Sequence, residues 1–552
     1  MKLQAKDIHS DAYIVAVTLI AVSIPLSKFA MSLGEFTLLG LWLLSGFRFS
    51  VVRRFFKYKN FFTATYLFLE YLLRLIYTNL FEKTGFFLKN RAAVVLASVW
   101  FLHVVGLINT SDFQYAFKDL RVKLPLLLFP VIFATIPKVN YNTFRKIMLF
   151  YTAAVFTGTL ISFFLFLKEN YYDIREISPF ISSIRFGLNI AFAFFILLYF
   201  VFKDSYFNKK IKLLFLATAA WFITFLVIME SITALSAIII IILGILIHLV
   251  FISRHYYLKI GFTALLVFIP AFTYFYVKNI VYEATTPPKL NPDNLDKYTS
   301  QGNPYIFDTV PPMIEDGKYV GIYICYKEMK EAWNKRSKYD FDGKGKNGNS
   351  IKTTLIRYLT SKNLRKDADG VNALTRRDVE LIENGVANYN YIENPGLHTR
   401  ILKVIKGYES YKATGNPSGS SIMQRLEYLK ASLNLIKQNF WTGVGVGDLE
   451  KSFFSELDIM NSKLSDRYKF HAHNQYLAIF IILGIFGFLY FLFALIYPVV
   501  ITNAYKDYFF TVFYSLMLIS MFSDDTFETQ AGATLFGFFT AFLMLGKQRK
   551  NA

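Results

Sequence analysis

Charge and cysteine are both scarce in this chain. Only 18% of its 552 residues are Asp, Glu, Lys or Arg, against about 25% in an ordinary soluble domain. So little charge cannot cover a globular surface of this size, and a disordered chain is excluded for the same reason. The single cysteine, Cys325, can form no intrachain disulfide, which rules out a disulfide-built scaffold. Acidic residues are also few, 39 against 60 Lys and Arg, leaving a net charge of +21. What is abundant is apolar: 54% hydrophobic and 18% aromatic residues, with a mean hydropathy of +0.37. In such a composition the basic excess points to cytoplasmic loops beside anionic lipid and to a site for an anionic substrate. No nucleic-acid partner is expected.

A helix needs about 20 apolar residues to cross roughly 30 Å of hydrocarbon. Windows of this kind occur near 12–30, 33–48, 91–109, 124–137, 147–167, 184–202, 211–229, 232–252, 259–278, 475–500, 509–523 and 531–546. The expected fold is an all-α polytopic membrane protein of about 12 transmembrane helices. Basic connections at 48–59, 137–146, 203–212, 253–259 and 546–550 fall on one side of that count, so both termini are expected in the cytoplasm. The stretch 60–90 is apolar but carries Glu70, Arg74, Glu82 and Lys83, and reads as an interfacial cytoplasmic segment. The first apolar run lacks a small-residue cleavage site and continues into a second span, so no cleavable signal is expected. Four regions follow: 1–278 with spans 1–9, an insert over 279–394, an outer loop over 395–474, and 475–552 with spans 10–12. The insert is rich in Pro, Gly, Asn and Lys over 283–390, offers no chemical motif, and is expected to be a partly ordered lobe.

The outer loop carries more information. Ser421 and Gln424 form a capping-box pattern, followed by Ile422, Leu426, Leu429, Leu433, Ile436 and Phe440 at helical spacing. Gly443, Gly445 and Gly447 end that helix in a loop. Arg425 stands beside the apolar stripe, where a guanidinium either snorkels to water or turns over a cavity. Of seven histidines, only His398, His471 and His473 fall on the outer side of the expected topology. An imidazole at a membrane boundary titrates near neutrality and can take a proton from a sugar hydroxyl; it can equally be interfacial decoration. The His471-x-His473 pair lacks a third ligand at useful spacing, so no metal is expected. Lys118, Arg121 and Lys123 stand against the positive-inside bias, which suits a pyrophosphate or an acidic lipid headgroup. Asp524, Asp525 and Glu528 suit either a divalent ion or a role holding basic groups in place, and the structural role is expected.

The run HNQYLAIFIILGIFG, from His473 to Gly487, resembles the signature of the O-antigen ligase and polymerase family: His473–Asn474, nine residues, then Gly484-x-x-Gly487. Phe488 stands where the family often has threonine. The Arg425 helix with its GVGVGD loop, and Arg185 at the entrance of the sixth span, are similar to family segments, the ligase most of all. The resemblance implies a GT-C-like fold with a long periplasmic loop between spans 9 and 10. It implies inverting, metal-independent transfer of a glycan from polyprenyl pyrophosphate to lipid A–core, without a cofactor, at the inner membrane of a Gram-negative bacterium. The implied partners are the carrier-linked glycan donor, the lipid A–core acceptor and membrane lipid. By the same resemblance His473 is the general base, Arg185 and Arg425 hold the pyrophosphate, and Asn474 fixes the imidazole ring. His471, Lys118, Arg121 and Lys123 support the site, and Gly484 and Gly487 allow helix packing. A polymerase extending carrier-linked repeats, or an oligosaccharyltransferase acting on protein hydroxyls, would use the same chemistry. A transporter is disfavoured, because the two halves hold no matching broken helices and few mid-span ionisable groups.

Overall fold

Each apolar window of the sequence contains a helix in the computed structural model, which describes residues 8–48, 51–52, 55, 60–168, 177–287, 289–291, 294–309, 313–393 and 396–548. The chain is 72% helical. In order, the first part holds α1 (Ile8–Ser23), α2 (Lys28–Leu43), α3 (Phe61–Lys89), α4 (Arg91–Val105), α5 (Phe113–Val122), α6 (Pro125–Thr135), α7 (Tyr141–Lys168), α8 (Ser183–Phe202), α9 (Lys209–Ile228), α10 (Ile232–Ile252) and α11 (Tyr256–Thr285). Many starts are fixed by a polar side chain accepting a backbone N–H of the first turn: Asn60, Asn90, Asp112, Asn208 and, later in the chain, Asn474, Asp507 and Thr529.

Six helices among the described residues are long and apolar enough to cross a membrane: α7, α8, α9, α10, α11 and α20 (Gln475–Ile501). The pair α3 and α4, bent by 105° at Asn90, adds a seventh if taken as one broken span. Helices α1, α21 (Tyr508–Ser520) and α22 (Gln530–Ala541, continued by a π-turn to Gly546) are apolar but shorter. Length and composition therefore account for six or seven of the twelve expected crossings. Helix α3 buries none of its side chains.

The core forms around α8, which packs against α7, α9 and α21, while α4 lies on α6 and α20 and α6 lies on α22. The outside of this body is apolar, with Phe150, Phe164, Leu213, Phe268 and Phe486 exposed, whereas Lys123, Arg145, Asp204 and Asp524 are buried. That inversion of the soluble pattern suits a hydrocarbon solvent. Polar clusters mark both ends of α8, about 30 Å apart at 1.5 Å per residue. At its C-terminal end Arg145 Nε donates to Asp204 Oδ2 at 2.9 Å, and Val139 exchanges backbone hydrogen bonds with Gly546 and Gln548. The basic connections 137–146 and 203–212 and the start of the C-terminal tail thus meet there. Arg185 stands at the other end.

Between α11 and α20 the chain leaves this body. The insert is folded: β1 (Ile314–Glu315) pairs antiparallel with β2 (Lys318–Tyr319), and α12 (Tyr326–Asn334), α13 (Ile351–Ser361), α14 (Ala368–Asn372) and α15 (Arg376–Glu383) surround a core of their own. Trp333, Leu355, Tyr358, Leu359, Val371 and Ile382 are fully buried in it. The expected partial order does not describe these residues. Its apolar positions are spread over helices of 11 residues or fewer, too short to register as periodic runs. After α16 (Asn390–Glu393), the outer loop forms α17 (Leu397–Thr414), α18 (Ser421–Gln438) and α19 (Leu449–Ile459), with α17 against α11 and α18 against α20.

Candidate functional site

The short connection between α21 and α22, residues 521–529, gathers the polar groups at the Arg185 end of α8. Arg185 Nη2 donates to Asp524 Oδ2 at 3.2 Å, and Nη1 donates to Ser182 Oγ at 3.0 Å. His471 Nδ1 lies 2.5 Å from Asp525 Oδ2, and His473 Nδ1 lies 3.6 Å from Asp525 Oδ1. Lys123 Nζ, fully buried, donates to Glu528 Oε2 at 3.0 Å and to Asp119 Oδ1 at 2.5 Å. Backbone bonds fasten the same connection to the start of α20: Gln475 N–H donates to Met521 O at 2.9 Å, and Phe527 N–H donates to Gln475 Oε1 at 2.6 Å. The three acids expected to be structural therefore each hold a different basic group.

The electrostatics separate the two histidines. Burial works against a charged His471, but the Asp525 carboxylate overcomes it and lifts the pKa to about 9. Burial likewise opposes ionisation of Asp525, yet contact with both imidazoles holds it well below the usual carboxylate range. Asp524 is pushed up, because its burial outweighs the opposing pull of Arg185. His471 is thus a cation at neutral pH, locked to Asp525. His473 sits at the longer distance, with its ring 5.4 Å from that of Tyr428 and 5.7 Å from that of Phe470. Its backbone is left-handed, φ +46°, a conformation uncommon outside glycine.

Arg425 lies one turn before Tyr428 on α18 and lines a cavity of about 840 Å³. Arg400 from α17, Lys28 from α2, and Ser182, Ser231 and Ser523 share its wall. Arg185 stands behind the wall, bonded to Ser182. Arg185 pairs with Asp524 and His473 Nδ1 faces Asp525, while Arg425 lines the same cavity as Ser523, the residue before that carboxylate pair. Arg400, Tyr428 and Phe470 carried no sequence signal, since each is placed only by the packing of α17, α18 and the 465–474 segment.

Several expected roles change. Lys118, Arg121 and Lys123 do not form one cluster: Lys123 turns inward to Asp119, its partner one helical turn away, while Lys118 and Arg121 are exposed. Asn474 does not fix the imidazole. Its side chain accepts from Leu477 N–H and donates to Phe522 O, both at 3.1 Å, so it caps α20 and ties it to the 521–529 connection. The capping box at Ser421 is absent, because the N-cap position falls on Ser420, whose side chain makes no cap bond, and the Ser421 hydroxyl accepts from Arg400 Nη2 at 3.0 Å. Of the expected stripe Leu426, Leu429, Leu433 and Phe440 are exposed and Ile436 is buried, and the rest of the buried face is Met423, Glu427, Tyr428, Ala431, Ser432 and Leu435. Small residues such as Ala431 and Ser432 suit a close helix contact, and the three outward leucines are left for an apolar surround.

At Gly484 the close approach is between a loop and a broken helix, not between two helices. Gly484 has φ +64° and ψ −169° inside α20, which frees the carbonyls before it. Val444 N–H donates to Ile481 O at 2.8 Å, Gly445 N–H to Ile482 O at 3.0 Å, and Ile485 N–H to Phe440 O at 2.8 Å. A Cβ at Gly484 would strike the Trp441 carbonyl, and one at Gly443 would strike that of Ile482. Gly487 is buried beside the same break.

His473, Asp524 and Asp525 each offer one ligand atom, all within 4.8 Å of one another, and so could hold a cation. The two carboxylates already have cationic partners in Arg185 and His471. A family model described as O-antigen ligase matches residues 384–492. The match takes in α17, α18, α19, both histidines and most of α20, and leaves out Arg185, Lys123 and the 521–529 connection. No curated protein matches the chain.

Proposed function

From a chain that carries an O-antigen ligase family domain over 384–492, we propose a multi-pass inner-membrane glycosyltransferase that moves a glycan from polyprenyl pyrophosphate onto lipid A–core. In this reading 1–278 and 475–552 form the membrane part, the shorter apolar helices complete twelve crossings, and both termini are cytoplasmic. The Arg185 end of α8 faces the periplasm, with 279–394 and 395–474 above it. The observation that carries the proposal is the placement of the Arg185–Asp524 and His473–Asp525 pairs next to the cavity of about 840 Å³ that Arg425 and Ser523 line.

His473 takes the proton of the acceptor hydroxyl as its oxygen attacks the anomeric carbon with inversion. Its Nδ1 faces Asp525, which leaves Nε2 as the accepting nitrogen and gives the resulting imidazolium a nearby carboxylate. His471 is unsuited to that step, because it is already protonated at neutral pH. As the sugar–phosphate bond breaks, its electron pair leaves on the pyrophosphate. Arg425 at the cavity wall, with Arg400 beside it and Arg185 acting through Ser182, meets that growing charge. With Arg185 and His471 already neutralising the carboxylates, this scheme calls for no metal, and a chelator should leave turnover unchanged.

Purified protein reconstituted with carrier-linked glycan and lipid A–core tests the proposal. Consumption of lipid A–core supports a ligase; lengthening of the carrier-linked chain instead makes the enzyme a polymerase. His473→Ala should lower kcat about 100-fold or more in folded protein, and His471→Ala less. An unimpaired His473→Ala would sink the general-base assignment.

A further inference from the structure

The large cavity has a neighbour built partly by the insert. A second cavity of about 350 Å³ lies between α13 of the insert and α17 and α18 of the outer loop. Its wall carries Arg357, Arg400, Lys403 and Lys406, and among the described residues no Asp or Glu lines it. Acids stand behind the wall and set the cations in place. Arg357 donates to both oxygens of Glu315, at 2.6 and 2.9 Å, and Lys403 lies 3.0 Å from Glu230. Lys406 is held more loosely, 3.5 Å from Glu409. The same wall includes Tyr391, whose buried hydroxyl has no hydrogen-bond partner among the described residues. A buried hydroxyl left without an acceptor is unfavourable, so this O–H is a donor in want of one.

Forked and point cations around an unused hydroxyl donor suit a compact oxyanion better than an apolar group or a neutral sugar. The two cavities share Arg400 and Ser421, so the smaller lies directly against the larger. We propose that this second cavity is an anion subsite for a phosphate or uronate carboxylate carried by a sugar of one of the two substrates. The site itself stands on the geometry above; its link to a substrate rests on the glycosyltransferase reading.

The test uses the full-length protein in lipid nanodiscs. Inorganic phosphate binding is measured for wild type, Arg425→Gln, and a Tyr391→Phe/Lys406→Gln double variant; Arg357 is kept, because its removal would strand buried Glu315. The double variant should lose one class of phosphate site, weakened about fivefold or more, and Arg425→Gln should retain that class. Identical binding by wild type and the double variant overturns the proposal. This arm needs no turnover, so it decides the subsite even if the transferase reading fails. In the turnover arm, phosphorylated and dephosphorylated acceptors, and uronate-bearing and neutral donor glycans, are compared. A rise in the KM ratio of charged to neutral acceptor assigns the subsite to the acceptor, and a rise in the donor ratio assigns it to the donor. Ratios equal to wild type in both pairs overturn the substrate assignment.

Discussion

Asp525 faces two imidazoles at unequal range, 2.5 Å from His471 Nδ1 and 3.6 Å from His473 Nδ1. The nearer, His471, forms an ion pair whose strength depends on pH. Its folded pKa of about 9 lies above the ordinary value of 6.5, so the pair's contribution to stability is complete below about 6.5 and lost as pH rises through about 9. Thermal unfolding followed across that window should show the loss, and Asp525→Asn should flatten it; a wild-type midpoint that stays constant would mean the ion pair contributes nothing. Arg425 invites a second test at this scale. Lysine keeps the charge but cannot make a paired contact with a phosphate, so Arg425→Lys should cost about 100-fold in kcat/KM. Near-normal turnover would make Arg425 a surface anchor. Both residues stood out in the sequence, His473 from the His-Asn run and Arg425 from its place beside an apolar stripe. Arg185, Lys123 and the three acids stood out as well, but which acid meets which base did not, since Arg185 and Asp524 are 339 residues apart and Lys123 and Glu528 are 405 apart. No local pattern encodes a pairing over such distances.

At the scale of single helices, the apolar windows located nearly every long element, because 20 residues of hydrocarbon-compatible sequence leave little choice but a helix. Which face each helix turns inward was less accessible. In water Leu426, Leu429 and Leu433 of α18 would be on its buried side, but beside lipid that rule loses its force, and Glu427 is buried with Leu435, bonded to Lys430, Tyr411 and Ser462. The break in α20 was hidden for another reason. Gly484 reads as a small packing residue until the docked loop from Phe440 to Gly445 is seen to use the freed carbonyls. Its backbone angles belong almost only to glycine, so Gly484→Ala should cost about 1–3 kcal/mol in strain alone, before the clash with Trp441. A lowered unfolding temperature in detergent checks this, and an unchanged one would mean that the helix straightens without penalty.

Across the described residues, the basic connections 137–146 and 203–212 and the start of the C-terminal tail meet at one end of α8, and the buried ion pairs of the site lie at the other. Lys123 is the most demanding of these groups, being fully buried between Asp119 and Glu528. Lys123→Met should destabilise the protein by about 3–5 kcal/mol, because two carboxylates are left without a cation. Adding Asp119→Asn and Glu528→Gln should restore much of that loss, as measured by unfolding in detergent. If the triple variant is no more stable than the single one, the lysine stem matters more than its charge.

On the proposed glycosyltransferase reading, the connection at 521–529 governs transfer without touching a sugar, since it is the common anchor for Arg185, both imidazoles and Lys123. A collection of inactive mutants would therefore be rich in changes at this stretch, and on activity alone they would pass for defects in the reaction. Only the yield of intact protein from each strain separates a broken anchor from a missing reactant.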